Sequence, residues 1–189
     1  MSIIANKLTR VINLEDEQQG FRRGRSCINA IFVVRQLAEK VLEFNKPAFF
    51  CFIDIEKALD NIQLEHVLKF FEDHGIPVVF IRLIQEIYRN NYTRIRIKRK
   101  LEGMIPVNQG IRQGDSLSPF VLNLVMNELI KDLKNVQGYS MGNENVNIVC
   151  YADDAALVAE NDLQRLLHKF ALSCEKFQLK ISSKKTTTL

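Results

Sequence analysis

The sequence predicts a single α+β domain in which helices pack on a small antiparallel sheet. Residues 48–55 form a near-continuous apolar run, which is typical of a strand that helices bury on both faces. Two further apolar runs flank residues 151–154, Tyr-Ala-Asp-Asp, as the strands of a hairpin flank a tight turn. No linker, repeat or low-complexity tract interrupts the 189 residues, so one domain is the simplest organisation.

Helical spacing of apolar residues predicts two helices in the N-terminal part of the chain. The first covers residues 3–12. Residues 15–25 are polar and contain two glycines, which indicates a loop. Ser26 is the predicted N-cap of the second helix, which carries apolar residues as far as Val41 and ends before Pro47.

Four more helices are predicted after the first strand. Gly75 and Pro77 mark the break between two of them, and Pro119 lies in the first turn of a third, for which Ser116 or Ser118 is the predicted N-cap. The predicted helices cover residues 63–74, 77–88, 116–134 and 162–177.

A basic hairpin is predicted between the second and third of these helices. In residues 93–98 apolar and basic residues alternate, which predicts a strand with one apolar and one basic face. Glu102 and Gly103 are predicted to turn the chain into a second strand at 104–107.

Composition excludes some classes of protein without selecting a function. Twenty-six Lys and Arg against 22 Asp and Glu give a net charge of +4, a bias that permits a phosphate-bearing partner without establishing one. The four cysteines have no C-x-x-C spacing and no paired histidines, which argues against zinc and predicts reduced, mostly buried thiols. No apolar run reaches the ~18 residues of a membrane span, so a soluble intracellular protein is expected, in nucleus or cytoplasm.

Acidic residues at the ends of apolar runs are the first candidates for chemistry. Asp153 and Asp154 are adjacent at a predicted turn, where like charges repel unless a cation lies between them and a third group. Asp54 ends the run at 48–55 and can supply that third group, because neighbouring strands bring distant residues together. Magnesium prefers such oxygen ligands. The alternative is a solvated turn, since aspartate also favours turns for its own backbone hydrogen bonds.

Five segments, taken in order, resemble the reverse transcriptases, most closely those of non-LTR retrotransposons. They are EQQGFRRGRSCINAIFVVRQLAEK at 17–40, FIDIEKALD at 52–60, GIRQGDSLSPFVLNLVMNEL at 110–129, YADD at 151–154 and LKISSKKT at 179–186. The resemblance implies a polymerase palm-like sheet with partial fingers. Residues 1–47 would form helices of the fingers and an arginine loop at residues 20–25, and residues 48–189 would form the palm. Together they would make one reverse transcriptase domain, 1–189, truncated at both ends.

The same resemblance implies RNA-directed DNA synthesis by two-metal nucleotidyl transfer. Its partners would be an RNA template, a DNA primer and deoxynucleoside triphosphates, and its cofactors two Mg²⁺ ions, with Mn²⁺ as a substitute. The metal ligands would be Asp54, Asp153, Asp154 and the backbone carbonyl of Ile55. Lys185 would lie near the leaving pyrophosphate. Leu59, Gln113 and Gly114 would contact the incoming nucleotide, and Leu59 stands where the family usually has phenylalanine against the sugar.

Two clusters of basic residues are predicted to bind nucleic-acid phosphates. They are Arg22, Arg23 and Arg25 in the polar loop, and Arg94, Arg96 and Lys98 in the basic strand. For the strand, an exposed edge that prevents sheet-to-sheet pairing is an equal alternative.

Two other functions stay open at this point. One is a catalytically inactive remnant of a retroelement that still binds nucleic acid. The other is a different palm-type nucleotidyl transferase such as a nucleotide cyclase. The arginine loop and the RQGD loop at residues 112–115 argue against it, because a cyclase has no polymer template for them to contact.

Overall fold

A computed structural model describes residues 3–89, 91–107 and 110–189. The helices are α1 (Ile3–Val11), α2 (Cys27–Phe44), α3 (Ala58–Asn61), α4 (Leu64–Asp73), α5 (Val78–Arg89), α6 (Ser118–Leu133) and α7 (Leu163–Lys176). The strands are β1 (Phe49–Ile53), β2 (Tyr92–Ile97), β3 (Lys100–Pro106), β4 (Tyr139–Met141), β5 (Glu144–Val146), β6 (Ile148–Tyr151), β7 (Asp154–Ala159) and β8 (Thr187–Thr188).

A four-stranded antiparallel sheet, in the order β6-β7-β1-β8, forms the centre of the fold. β1 pairs with β7 from Phe49↔Ala159 to Ile53↔Ala155. β6 and β7 form the hairpin that the sequence predicts around residues 151–154. The strand predicted at 48–55 is therefore confirmed, and it is an interior strand with partners on both sides.

Helices cover both faces of this sheet, as its apolar strands require. On one face Ile53 and Leu157 are buried in a core shared with α6 and α7, which contribute Leu129 and Phe170 among others. On the other face Val158 packs with Leu37 of α2 and with Tyr139. Consecutive residues of β7 thus enter opposite cores, which explains why the strand is apolar without alternation.

The helix starts are partly as predicted. Ser26 occupies the N-cap position of α2, and Asn29 Oδ1 accepts a hydrogen bond from its backbone N–H at 2.8 Å. The serine cap predicted for α6 is wrong: Leu117 is at the N-cap position, and the Ser118 hydroxyl donates to the carbonyl of Arg112. Asp115 Oδ1 instead accepts from the Leu117 amide.

The basic hairpin differs from its prediction in turn and faces. The turn is at Lys98 and Arg99, with φ of 42° and 70°, so Glu102 and Gly103 lie inside β3. Two consecutive left-handed residues match the twist of the flanking strands, which outweighs the turn preference of Gly103. Each face of the hairpin carries both apolar and basic side chains, because β3 places Leu101 beside Arg96 and Lys100 beside Ile97. All residues of both strands are exposed.

Several short elements were not predicted from the sequence. A helix of four residues (α3), a hairpin of three-residue strands (β4 and β5) and the two-residue β8 are too brief to show a period. Three of the four cysteines are buried and all four are free, as predicted. In the part of the chain that the structure describes, no helix is long and apolar enough to cross a membrane.

Candidate functional site

The turn between β6 and β7 carries two of the predicted acids. Tyr151 pairs with Asp154, so Ala152 and Asp153 are the two turn residues. Ala152 has φ of 57°, the left-handed conformation that a two-residue hairpin turn requires at its first position. Asp153 therefore lies at the tip of the hairpin, and Asp154 is the first residue of β7.

Asp54 reaches the same end of the sheet because it directly follows β1. The β1–β7 register ends at Ile53↔Ala155, so Asp54 and Asp154 are the residues next to this last pair. Asp54 and Asp154 line one cleft. Asp153 lines a neighbouring cavity. Antiparallel pairing thus brings together acids that are far apart in the sequence.

Electrostatic interactions link these acids to Lys185. Lys185 Nζ donates to Asp54 Oδ1 at 3.0 Å. Partial burial raises the pKa of the Asp154 carboxyl, the negative charges of Asp153 and Asp54 raise it further, and Lys185 lowers it. Three carboxylates with one ammonium leave an excess of negative charge at this site.

The donor chemistry of this site fits magnesium. Within residues 3–89, 91–107 and 110–189, no group of three or more His, Cys, Asp or Glu side chains is arranged so that it could hold a metal ion. Mg²⁺ does not require such a group, because it is usually held by one or two carboxylates together with water and substrate phosphates. Ile55 pairs with Ile181 through hydrogen bonds of the Asp54 carbonyl and the Glu56 amide, so this bridge does not use the Ile55 carbonyl.

The cavity beside Asp153 contains the predicted nucleotide-contacting residues. It has a volume of about 470 Å³, and Leu59, Gln113 and Gly114 line it together with Asp153. Gln113 Nε2 donates to Asp60 Oδ1 at 3.0 Å, which orients the carboxamide. The structure therefore brings these residues to one side of the acidic turn.

The loop that carries Gln113 is anchored on both sides. A Cβ on Gly110, whose φ is 87°, would lie 2.7 Å from the backbone oxygen of Asp60, so this close approach requires glycine. Arg112 donates to the carbonyl of Ile87 at 2.6 Å and to Asn91 Oδ1 at 2.7 Å. Arg112 is therefore a structural anchor within the predicted nucleotide-binding loop.

A second, larger cleft separates α2 from the sheet. It has a volume of about 620 Å³ and is mostly apolar, with Phe52 and Val34 among its walls. Asp54, Asp154 and Lys185 also line this cleft. The acids are therefore accessible from two sides, through this cleft and through the cavity beside Asp153.

The arginine loop is only partly free to bind a ligand. Arg22, whose side chain is 19% exposed, donates to the backbone carbonyls of Glu15 and Gln18. Arg25 pairs with Asp16 at 2.7 Å. Arg23 is exposed, and no side chain in the described ranges pairs with it. The basic hairpin residues Arg94, Arg96 and Lys98 are all exposed as well.

Comparison with known proteins identifies the family. The family described as "Reverse transcriptase (RNA-dependent DNA polymerase)" matches residues 1–189. The chain belongs to the reverse transcriptase family. Reverse transcriptases use divalent metal ions, which agrees with the acidic residues at this site.

Curated relatives of this reverse transcriptase domain include Pol polyproteins of R2 non-LTR retrotransposons. It is 28% identical over its full length to the Pol polyprotein of element R2DM of Drosophila melanogaster. It is 26% identical over 99% of its length to that of an R2 element of Nasonia vitripennis. In both cases the chain spans 18% of the relative's length.

Solved structures of telomerases have the same fold. The reverse transcriptase domain matches apo telomerase from Candida tropicalis with a TM-score of 0.71 and 10% identity, over 99% of this chain and 35% of that one. For telomerase from Candida albicans in complex with a telomeric RNA fragment the TM-score is 0.67 at 12% identity, over 99% of this chain and 33% of that one. At these identities the likeness shows the fold alone, a polymerase palm-like arrangement.

Three buried amides at the site were not identified from the sequence. Gln18 hydrogen-bonds the backbone of Ala152, Asn123 that of Gly20 and Asn127 that of Glu15. Gln18, a glutamine in a polar loop, carries no local signal of such a contact. Only Asn123 and Asn127, polar residues inside the apolar segment 120–130, could have indicated a buried polar network.

Neutralising Asp154 is expected to stabilise the protein near neutral pH. Because its pKa is raised on folding, the folded protein binds this proton more tightly than the unfolded chain does. The charged carboxylate therefore lowers stability above the raised pKa, and this cost disappears as the pH falls toward the usual value of 3.8. Thermal unfolding should show a higher Tm for Asp154→Asn at pH 7, with the difference shrinking in acid. An equal Tm at pH 7 would show that neither burial nor the neighbouring acids destabilise the charged carboxylate.

Proposed function

We propose that this chain carries the active site of an RNA-directed DNA polymerase. The site extends a DNA primer on an RNA template with deoxynucleoside triphosphates, in the presence of Mg²⁺ or Mn²⁺. The observation that carries the proposal is the position of Asp54, Asp153 and Asp154 at one end of the central sheet, beside a cavity lined by Gln113 and Leu59. We assign residues 1–47 to the fingers side and 48–189 to the palm.

The acids hold divalent ions in this proposal. Asp54, Asp153, Asp154 and the Ile55 carbonyl would be the ligands, and the bound ions would activate the primer hydroxyl and neutralise the triphosphate. Lys185 supplies a positive charge at the same place. Its side chain is 70% exposed, so its ion pair with Asp54 is weak and can be exchanged for a pairing with the leaving pyrophosphate.

The cavity beside Asp153 receives the incoming nucleotide in this proposal. Asp60 holds the Gln113 carboxamide at its wall. A Cβ on Gly114 would meet no atom within 4 Å, so the backbone here is open to a ligand. Leu59 contributes an apolar surface to the same cavity, at the position where the family usually has phenylalanine beside the sugar.

Two assays on the 189-residue chain test the function. Titration with Mn²⁺ should detect binding at the acidic site, and primer extension with an RNA template and magnesium should detect nucleotide incorporation. Binding of Mn²⁺ and of nucleic acid without incorporation would favour the second hypothesis, an inactive remnant that retains nucleic-acid binding. A chain that binds neither Mn²⁺ nor nucleic acid would overturn both.

Leu59→Phe is expected to increase discrimination against ribonucleotides. A phenyl ring fills more of the space beside the sugar 2′ position than the leucine side chain does. The change in relative incorporation should correspond to about 1–3 kcal/mol, as for other changes of pocket shape. Single-nucleotide incorporation with each sugar, or competitive binding of the two triphosphates, measures it. Unchanged ratios would remove Leu59 from the sugar-binding site.

Arg23 and Arg22 should respond differently to replacement by alanine. Arg23→Ala should weaken nucleic-acid binding. The logarithm of the binding constant falls as the logarithm of the salt concentration rises, and this dependence should become shallower by about 0.7–0.9, the contribution of one phosphate contact. The substitution should leave the Tm unchanged, because Arg23 is exposed. Arg22→Ala should instead lower the Tm, since the Arg22 guanidinium hydrogen-bonds backbone carbonyls of its own loop. Identical salt slopes for wild type and Arg23→Ala would exclude Arg23 from the interface.

A further inference from the structure

A buried segment of the polar loop lies alongside the strand that leads into the acidic turn. The Cys150 amide donates to the Glu17 carbonyl at 2.8 Å, and the Gln19 amide donates to the Cys150 carbonyl at 2.8 Å. These bonds form a parallel bridge between Gln18 and Cys150. The segment therefore extends the edge of the sheet at β6, immediately before the turn.

The Gln18 side chain hydrogen-bonds both backbone groups of the first turn residue. It is fully buried. Its Nε2 donates to the Ala152 carbonyl at 3.0 Å, and its Oε1 accepts from the Ala152 amide at 3.0 Å and from the Gly20 amide at 2.7 Å. The reverse orientation of the carboxamide would place an NH₂ group against two backbone N–H groups. The partners therefore determine which end of the carboxamide faces each of them.

Ala152 needs such support because its backbone conformation is unfavourable for alanine. Its φ is 57°, a region that residues with a Cβ rarely adopt. The backbone of Gly20 packs closely against the same residue: a Cβ at Gly20 would lie 2.2 Å from the Ala152 nitrogen. The Gly20 carbonyl is in turn held by Asn123 Nδ2 at 2.9 Å. Backbone packing and side-chain hydrogen bonds thus converge on one residue of the turn.

We propose that Gln18 is a positioning residue that holds Ala152 in the left-handed conformation and so sets the place of Asp153 and Asp154 beside Asp54. Gln18 acts through the backbone of the turn, which its side chain hydrogen-bonds at Ala152. The consequence for metal binding rests on the proposed function, because it requires the acids to be metal ligands. The consequence for the conformation of the turn does not depend on it.

Two variants of Gln18 separate its hydrogen bonds from its volume. Gln18→Met keeps a similar size and removes all three side-chain hydrogen bonds. Gln18→Asn is the milder change, because it keeps a neutral carboxamide and only shortens the side chain by one methylene group. It keeps the test available if the methionine variant does not fold. Asn127→Ala is the matched control, since Asn127 is a buried amide that holds the same segment at Glu15 without touching the turn.

The first readout is amide hydrogen exchange at residues 152 and 153, without metal. Both Gln18 variants should accelerate exchange at these amides by more than their change in Tm explains. Asn127→Ala should lower the Tm without this local effect. Equal local exchange in the Gln18 and Asn127 variants would overturn the positioning role.

The second readout is the dissociation constant for Mn²⁺. Loss of a supporting group behind metal ligands typically weakens binding by ~10–100-fold, and we expect a value in this range for Gln18→Met. Combining it with Ala152→Gly should recover most of the loss, because glycine adopts positive φ without the Cβ penalty. Failure of Ala152→Gly to rescue would overturn the proposal. If the wild-type chain binds no Mn²⁺, the proposed metal site fails, and the exchange experiment still decides the role of Gln18.

Discussion

Asp54→Asn and Asp153→Asn are each expected to abolish Mn²⁺ binding and magnesium-dependent nucleotide incorporation. An asparagine keeps the size of aspartate and removes the negative charge that holds a divalent ion. Metal ions contribute several kcal/mol to stabilisation of the transition state, so the expected loss of rate is on the order of 10³-fold or more. Asp154→Asn should have a smaller effect, with the gain in Tm described above.

The matched control for these variants is Asp73→Asn, which makes the same chemical change at the exposed end of α4. It should leave Mn²⁺ affinity and incorporation unchanged. Circular dichroism and thermal unfolding should show that all variants fold. Incorporation by Asp54→Asn at the wild-type rate would exclude Asp54 as a metal ligand, whatever the effect at Asp153.

Gly20→Ala is expected to be the most destabilising single-methyl change in the arginine loop. The added Cβ would lie 2.2 Å from the backbone nitrogen and 2.8 Å from the Cα of Ala152. Because both are backbone atoms, no change of a side-chain rotamer can relieve this overlap. Either the segment beside β6 separates from the sheet or the acidic turn moves. We expect a loss of about 3 kcal/mol in the free energy of unfolding, at the upper end of the usual cost of overpacking.

Gly24→Ala is the control for Gly20→Ala, because Gly24 lies in the same loop and a Cβ there would meet no atom within 4 Å. Its φ of 75° still makes alanine unfavourable, by roughly 1–2 kcal/mol. Urea denaturation of both variants gives the comparison. Mn²⁺ binding should weaken in Gly20→Ala and stay unchanged in Gly24→Ala. Equal destabilisation by the two substitutions would show that the contact between Gly20 and Ala152 is not tight.

Long periodic segments were predictable because their pattern is local. The apolar run at 48–55 became β1, and the helices predicted at 63–74 and 162–177 agree with α4 and α7 to within one residue at each end. In the incorrect predictions, a local sequence preference was outweighed by the surrounding structure. Turn preference placed the hairpin turn at Gly103, whereas strand twist selected Lys98 and Arg99. A serine before an apolar helix suggested a cap, yet the Ser118 hydroxyl satisfies a carbonyl in the preceding loop.

The sequence alone determined the family and the order of the segments that could form a polymerase site. Asp54, Gln113, Asp153 and Lys185 were predicted as site residues because each lies in a segment whose residue types and order match the reverse transcriptases. Only the tertiary structure decided how these segments meet: that Asp54 and Asp154 line one cleft, that the Arg22 guanidinium hydrogen-bonds carbonyls of its own loop and that Gln18 hydrogen-bonds Ala152. The first relation depends on strand register, the second on the conformation of the loop and the third on a contact between residues 134 positions apart, so no local pattern in the sequence encodes them.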